Sequence, residues 1–527
     1  MLDAAVASFL SSITDEREFD ETLRAILRAR GFYDISRLHG ATELGRDFIA
    51  KRNDEDGIHQ YAVQSKAGDV NLRAFRGIRD QLEDIRTTDF QDANFDSDLP
   101  RVAVLVLTGE LRGGARAAAA GYKTEVASRQ SDRSVDYWEQ GRLIEYIVSS
   151  PDAALTGRDA GPLLRVLGLI DADDCDEREL ERFSRRWIPG EGQYAPPATV
   201  IEAAIIANAL ARKDRLDLAC LICLDLLRAG VVGAHGQTLD DTIWGSAEQA
   251  SGLFVTYAEP LWARCRDDAQ TLDPLALANQ NEPGFFATYP VRCLRMLELL
   301  GLLGLRRRSH GEDASEIAAY LREFLVRHPG AAHPLSDRYA VSLIPVVCLL
   351  GPDDADVLEP WLRAAAIWVC DHYADGLGLG GVETKPAEEI SYLLSAFEHI
   401  EPPPHRSSYL AAVILDLISA LELDQTYSDA RHDLMVHAPP EILHLPDTRA
   451  QYLFDGDGIQ QELRPPYKDV WQPIDDWKSA PHHEQTEPSW LEASGKGWEK
   501  LALSSVTRDR HDVGLIRRLT EASRESE

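Results

Sequence analysis

Two rhythms of hydrophobic and polar positions divide the chain. Up to about residue 150, short alternating or wholly apolar runs interleave with helical spacing. In 19-FDETLRAILRARGF-32 the apolar Phe19, Leu23, Ile26 and Leu27 recur at helical intervals, with Gly31 just past the end. "YDISRLHG", "RDFIAKR" and "HQYAVQSK" read as strands, and 69-DVNLRAFRGIRDQLEDIRTT-88 as a helix with Asp69 as its cap. "RVAVLVLTGEL" is the strongest buried-strand signal. The helix "GGARAAAAGYKTEVASR", the short strand "SVDYWE" and the helix "GRLIEYIVSS" close the region. The predicted order is helix, three strands, helix, strand, helix, strand, helix.

Beyond about residue 160 helical segments follow one another, at 199–212, 215–229, 243–266, 288–305, 313–327, 336–350, 355–373, 387–400 and 406–422. Turns such as "RKDR", "GPDDAD" and "EPPPHR" separate them, and nothing alternates like a sheet. The pattern predicts an α/β N-terminal domain with a central mixed sheet, then a large all-α domain built as a helical repeat or bundle. Expected bounds are 1–152 for the first, 153–195 for a connecting region and 196–437 for the helical domain. Residues 438–527 are expected to form an irregular Pro- and Trp-rich extension with a last helix at about 508–523.

Composition narrows the partners. The net charge is −32. Residues 1–150 hold 20 Lys+Arg against 26 Asp+Glu, about −6, and the remainder 35 against 61, about −26. Such a surface excludes a whole-surface nucleic-acid binder but leaves room for a small basic cleft. The acidic helical part favours a protein partner or self-association. There are seven cysteines, none before Cys175, and no framework of pairs, which fits a reducing cytoplasm. Cys220 and Cys223 have metal-like spacing but sit inside "LDLACLICLDLL", an apolar helix, and read as core. The N-terminus lacks a basic leader and the longest apolar runs are too short to span a bilayer, so no membrane role is expected. "GLGLGG" follows a helix, so it reads as a helix-ending turn, and Arg306, Arg307 and Arg308 suit a helix C-terminus.

The chemistry concentrates in 38-LHGATELGRDFIAKRNDEDGIHQYAVQSKAGDV-70. Residues two apart share one face of a strand, so Glu43, Gly45 and Asp47 line up, as do Gln64 and Lys66. If the two strands form a hairpin through "RNDEDGI", Asp47 comes near Gln64 and Lys66. Glu21 on the preceding helix offers a second carboxylate. Mg²⁺ takes oxygen ligands, commonly one or two carboxylates completed by water and phosphate, and Mn²⁺ is expected to substitute. Asp47 would be the principal ligand, with Gln64 or the Ser65 carbonyl as another and Lys66 beside the developing charge. The competing roles are a turn cap for Asp47, a solvated strand end for Lys66 and a plain surface position for Glu21.

These residues resemble the PD-(D/E)xK nuclease superfamily, and within it the Mrr-like, restriction-endonuclease-like branch. The resemblance rests on Glu21, on Gly45-Arg46-Asp47 and on Gln64-Ser65-Lys66. It extends to His39, Gly40 and Glu43 before the first motif and to Gln81 in "RDQLEDI". It covers roughly residues 15–150, and Gln64 stands where the wider superfamily has a carboxylate. It implies a Mg²⁺-dependent endonuclease with Asp47, Gln64, Lys66 and Glu21 catalytic. Asp47, Gln64, Ser65 and Glu21 would hold metal, and Glu43 and Gln81 would contact substrate. DNA is the expected substrate and RNA the other, and fusion to a helical module resembles bacterial effectors against phage or foreign DNA. The alternative is a catalytically silent nucleic-acid-binding or helical scaffold protein acting through a protein partner.

Overall fold

The computed structural model describes residues 2–11, 13–38, 45–89, 92–129, 132–150, 161–188, 198–234, 241–268, 285–374, 376–398, 404–441, 497–511 and 513–524. His39, Gly40, Glu43, and the extension from 442 to 496 lie outside them. The chain divides into two compact units, one of residues 1–174 with 196–209, the other of 175–195 with 210–527.

The first unit is built on a five-stranded mixed sheet in the order β1-β2-β3-β4-β5. β1 (Tyr33–Arg37), β2 (Phe48–Asp54) and β3 (Gly57–Lys66) are antiparallel neighbours, and β4 (Arg101–Leu107) and β5 (Arg133–Trp138) continue in parallel. The pairing Asp54↔Gly57 leaves only Glu55 and Asp56 as the turn between β2 and β3, so the strands run on through the polar stretch expected to be loop. Arg52 and Tyr61 hydrogen-bond the Asp54 carboxylate, which lets that arm keep strand geometry. β4 has Ala103, Val104, Leu105, Val106 and Leu107 all at 0% exposure, as a parallel strand covered on both faces must. Each of the valines and leucines there contributes about 1.5–3 kcal/mol of burial.

Helices α1 (Leu2–Ser11) and α2 (Glu16–Ala29) precede the sheet; α3 (Leu72–Thr87), α4 (Gly114–Arg129) and α5 (Gln140–Ser149) alternate with its later strands. Phe75, Ile78, Leu82 and Ile85 of α3 and Ala115, Ala119, Tyr122 and Val126 of α4 pack on Ile49, Ala62, Ala103 and Leu105. The α1 helix was not anticipated: it is short, and nothing in its sequence marks its start. The cap of α3 is Asn71, which accepts from Ala74 N, rather than Asp69. Asp69 instead receives Glu110 N and the Arg112 guanidinium, tying the loop after β3 to the loop after β4. Those loops pass so closely that a side chain at Gly109 would meet the Gly68 backbone at 2.5 Å.

The described residues of the second unit are mostly helical, with isolated bridges and no strand among them. Its longest helices are Asp241–Asp268, Phe285–Ser309 and Ala355–Ala374. The segment expected as one helix at 336–350 is a 3₁₀ turn, Asp337–Leu343, followed by a helix, Ile344–Leu350. Pro345 lacks the N–H that a continuous helix needs and sits instead in the first turn of the second piece. Helices Glu177–Ser184, Asp424–His437 and Gly497–Thr507 were not anticipated, and the last helix begins at Val513. Cys220 and Cys223 are fully buried, and burial pushes both thiols well above their usual range, as core cysteines. Arg306, Arg307 and Arg308 are spent on Glu312, Glu259 and the Leu349 carbonyl. Gly376 and Gly378 take positive φ after a helix, as a terminating turn requires. Among the described residues, no helix is long and apolar enough to cross a membrane.

Candidate active site

Asp47 enters the sheet one residue before β2, and its position is fixed from both sides. Gly45 has φ +80, and a side chain there would press on Gln81 Cβ at 3.3 Å. Arg46 is fully buried and donates to the Ile85 and Thr88 carbonyls at the end of α3, at 3.2 and 2.5 Å. Those carbonyls lack helical partners, so the guanidinium both satisfies them and complements the negative helix end. Asp47 N then donates to Val63 O at 2.8 Å, and Leu38 N donates to Asp47 O at 2.9 Å. The motif Gly45-Arg46-Asp47 thus works as a bend, an anchor and a delivered carboxylate.

That carboxylate takes the place of a strand carbonyl. Asp47 Oδ2 accepts from Ser65 N at 2.6 Å and from Ser65 Oγ at 2.8 Å. Both bonds fall on one oxygen; Oδ1 receives no donor among the described residues. Burial pushes the Asp47 carboxyl above its ordinary value and Glu16 adds to this, while the Ser65 bonds and the Lys66 charge pull it down. The net direction is upward, so the ionised form is under-stabilised in the folded chain.

Lys66 closes β3, and its Nζ lies 2.8 Å from Glu16 Oε1 at the first residue of α2. Glu16 is the acidic residue that meets Lys66 and acts on Asp47, a residue sequence reasoning did not single out. Glu21 is turned instead to Arg37 at 3.7 Å and Arg24 at 3.9 Å. A signal was present: Glu16 directly follows Asp15, the cap of α2, so it stands at the end of the helix nearest the strand ends.

Gln64 is 2% exposed, and its Nε2 donates to Gln81 Oε1 at 2.6 Å. Its bond therefore runs to α3, not to Asp47 or Lys66. Gln64 Oε1 is buried and has no donor among the described residues. Gln81 is otherwise exposed, and Arg73 and Arg76, earlier on the same helix, are exposed without an ion pair among the described residues. The structure thus gathers Asp47, Ser65, Lys66 and Glu16, sets Gln64 and Gln81 as a linked pair beside Gly45, and leaves Glu21 on its arginines.

The fit to a hard divalent cation rests on unspent oxygens. Among the described residues Asp47 Oδ1 and, on the α3 side, Gln64 Oε1 have no donors, and Glu16 spends one oxygen on Lys66. No group of three or more His, Cys, Asp or Glu side chains among the described residues is placed to hold a metal ion. Oxygen donors of this kind suit an ion completed by water and phosphate, such as Mg²⁺, better than a structural site of nitrogen and sulfur. Compared with family models, curated proteins and solved structures, the chain finds no match.

Proposed function

We propose that the first unit is a metal-dependent nuclease of the Mrr-like PD-(D/E)xK kind, hydrolysing phosphodiester bonds of DNA. The observation that carries this reading is the under-satisfied Asp47 carboxylate beside the Lys66–Glu16 pair at the end of β3. Asp47 would hold the cation, with Glu16 rather than Glu21 as the second carboxylate and Gln64 Oε1 as the neutral donor. When bound, Mg²⁺ or Mn²⁺ supplies Lewis acidity and a more acidic water.

The residues of the chain do the rest. Lys66 carries positive charge to the phosphate, where negative charge builds as the water oxygen bonds to phosphorus and one bridging P–O bond breaks. The attacking water gives up a proton to solvent, and the departing oxygen takes one up. Ser65 fixes the Asp47 rotamer, and Gln81 holds Gln64. Arg73 and Arg76 offer exposed guanidiniums to the nucleic-acid backbone. The large helical unit supports a bacterial defence effector acting in the cytoplasm, with that unit gating the nuclease or receiving a protein partner. A fold that binds nucleic acid without cutting it draws on the Lys66–Glu16 ion pair, which occupies the ammonium.

Incubation of the purified full-length protein with supercoiled plasmid and Mg²⁺ or Mn²⁺ decides between them. The expected result is nicking or linearisation, abolished by EDTA and by Lys66→Ala. Intact plasmid under every condition, with retained DNA binding, would establish the silent reading instead.

A further inference from the structure

The second unit contains a cavity of about 610 Å³, and every residue lining it belongs to that unit. Six arginines reach it: Arg178, Arg215, Arg264, Arg292, Arg295 and Arg338. That is a concentration of positive charge inside a chain whose net charge is −32. Five carboxylates also line the space, so the accounting matters. Asp176 is spent as the N-cap of the helix Glu177–Ser184, where it accepts from Glu179 N. Asp214 and Asp217 are paired at the rim with Arg264 and Arg215. Glu389 accepts from Ser336 Oγ at 2.6 Å, and burial pushes its carboxyl above the usual range, towards the neutral form.

What distinguishes the floor is a guanidinium donor left unused among the described residues. Arg295 and Arg338 both converge on Glu177, and Arg338 is shared further with Glu181. Arg295 is 6% exposed, and its Nη1 is buried with no hydrogen-bond partner among the described residues. Arg338 is 5% exposed and makes its bonds to Glu177 and Glu181 through Nη2 alone. Arg178 spends its donors on the Glu383 and Thr384 carbonyls, so no carboxylate bonds its charge. A buried guanidinium with a spare N–H costs desolvation unless something accepts from it. Phosphate, with its several oxygens, is the group guanidinium matches best.

The remaining wall is apolar and aromatic, with Leu261, Val291, Met296, Leu335, Tyr320 and Tyr339. A space of this size, with guanidinium donors at its floor and an apolar wall, takes a ligand with a phosphate at one end and a flat apolar body at the other. We propose that the helical unit is a receptor for a small organic phosphate of nucleotide size, its phosphate on Arg295 and Arg338 and its base against the Tyr320 wall. This site is separate from the nuclease residues and does not rest on their activity.

The test is calorimetric titration of the full-length protein with each of the four ribonucleoside triphosphates, with adenosine and with inorganic pyrophosphate. Saturable one-site binding of at least one triphosphate is expected, with adenosine silent. Arg295→Gln should weaken it by about tenfold or more. Because Arg295 also pairs with Glu177, Arg292→Ala at the half-exposed rim serves as the second variant and should weaken binding, with the Tm of both variants measured beside wild type to separate folding from binding. Asp47→Asn should bind as wild type does, which separates this site from the nuclease. Pyrophosphate binding as tightly as the triphosphates would sink the nucleotide assignment. No saturable binding by any of the phosphates, or binding untouched by both arginine variants, would overturn the proposal.

Discussion

Asp47 in the sheet unit and Glu177 in the helical unit are both carboxylates near basic side chains, and they are treated in opposite ways. Glu177 is gripped by Arg295, Arg338 and Arg508. Burial alone would raise it, yet those guanidiniums hold it well below the usual carboxylate range. Asp47 has one serine on one oxygen, and burial leaves its carboxyl above the usual value. A saturated carboxylate holds helices together. An unsaturated one, held in place by neighbours that do not neutralise it, is available for chemistry. The comparison teaches that burial and charge alone do not mark a site; what differs is how many charged partners each carboxylate has. In the helical unit Arg295 Nη1 is left without a partner among the described residues where its residue lines a cavity.

The largest effect expected is on Glu177. Glu177→Gln strips three buried guanidiniums of their shared charge and should cost about 3–5 kcal/mol, read by denaturant unfolding of the helical unit. A loss below 1 kcal/mol would erase the contrast. Next is Lys66→Ala, expected to slow plasmid nicking about 10²–10³-fold. Its half-exposed pair with Glu16 is worth only about 0–1 kcal/mol, so unfolding should scarcely change. The two substitutions should thus separate stability from activity in opposite directions.

Asp47 carries a pH prediction. Its folded pKa is raised, so its favourable contribution is present below the unfolded value and is lost as pH rises through the folded one. At pH 7 the ionised group therefore weakens the fold, and Asp47→Asn should leave Tm at or above wild type while cleavage disappears. Wild-type cleavage should fall as pH drops through a value above the ordinary aspartate range. A clear loss of Tm in Asp47→Asn would make Asp47 a structural cap. Smaller still, Glu16→Gln should reduce nicking more than Glu21→Gln, and equal losses would remove the distinction between them. The smallest effect is that of Gln81→Ala, which frees Gln64 and should reduce nicking roughly fivefold, the equivalent of about 1 kcal/mol.

The α/β unit was legible because its strands follow rules local to the sequence. Alternation and continuous apolar runs marked β2, β3 and β4, and the spacing of Gly45-Arg46-Asp47 and Gln64-Ser65-Lys66 set Asp47 beside β3. What the strand rule missed is that Asp47 stands just outside β2. Alternation put it on the Gln64 face, whereas its carboxylate turns to Ser65 and takes the backbone N–H that a longer β2 would have used. Nor does spacing show which glutamate of α2 meets Lys66; that depends on how the helix lies over the sheet, and Glu16 meets it. The cap of α3 moved from Asp69 to Asn71 because Asp69 had a better use across to Glu110 and Arg112. In the helical unit the apolar segments were readable, but the ion network was not. Glu177, Arg295, Arg338 and Arg508 lie far apart in sequence, and no periodicity links them.

The most direct test is the thermal midpoint of the full-length protein with and without Mn²⁺, for wild type and Asp47→Asn. A cation that completes the unspent oxygens binds the folded state and raises Tm. The account predicts a Mn²⁺-dependent rise in wild type that is absent in Asp47→Asn. The same rise in both, or none in either, would contradict it.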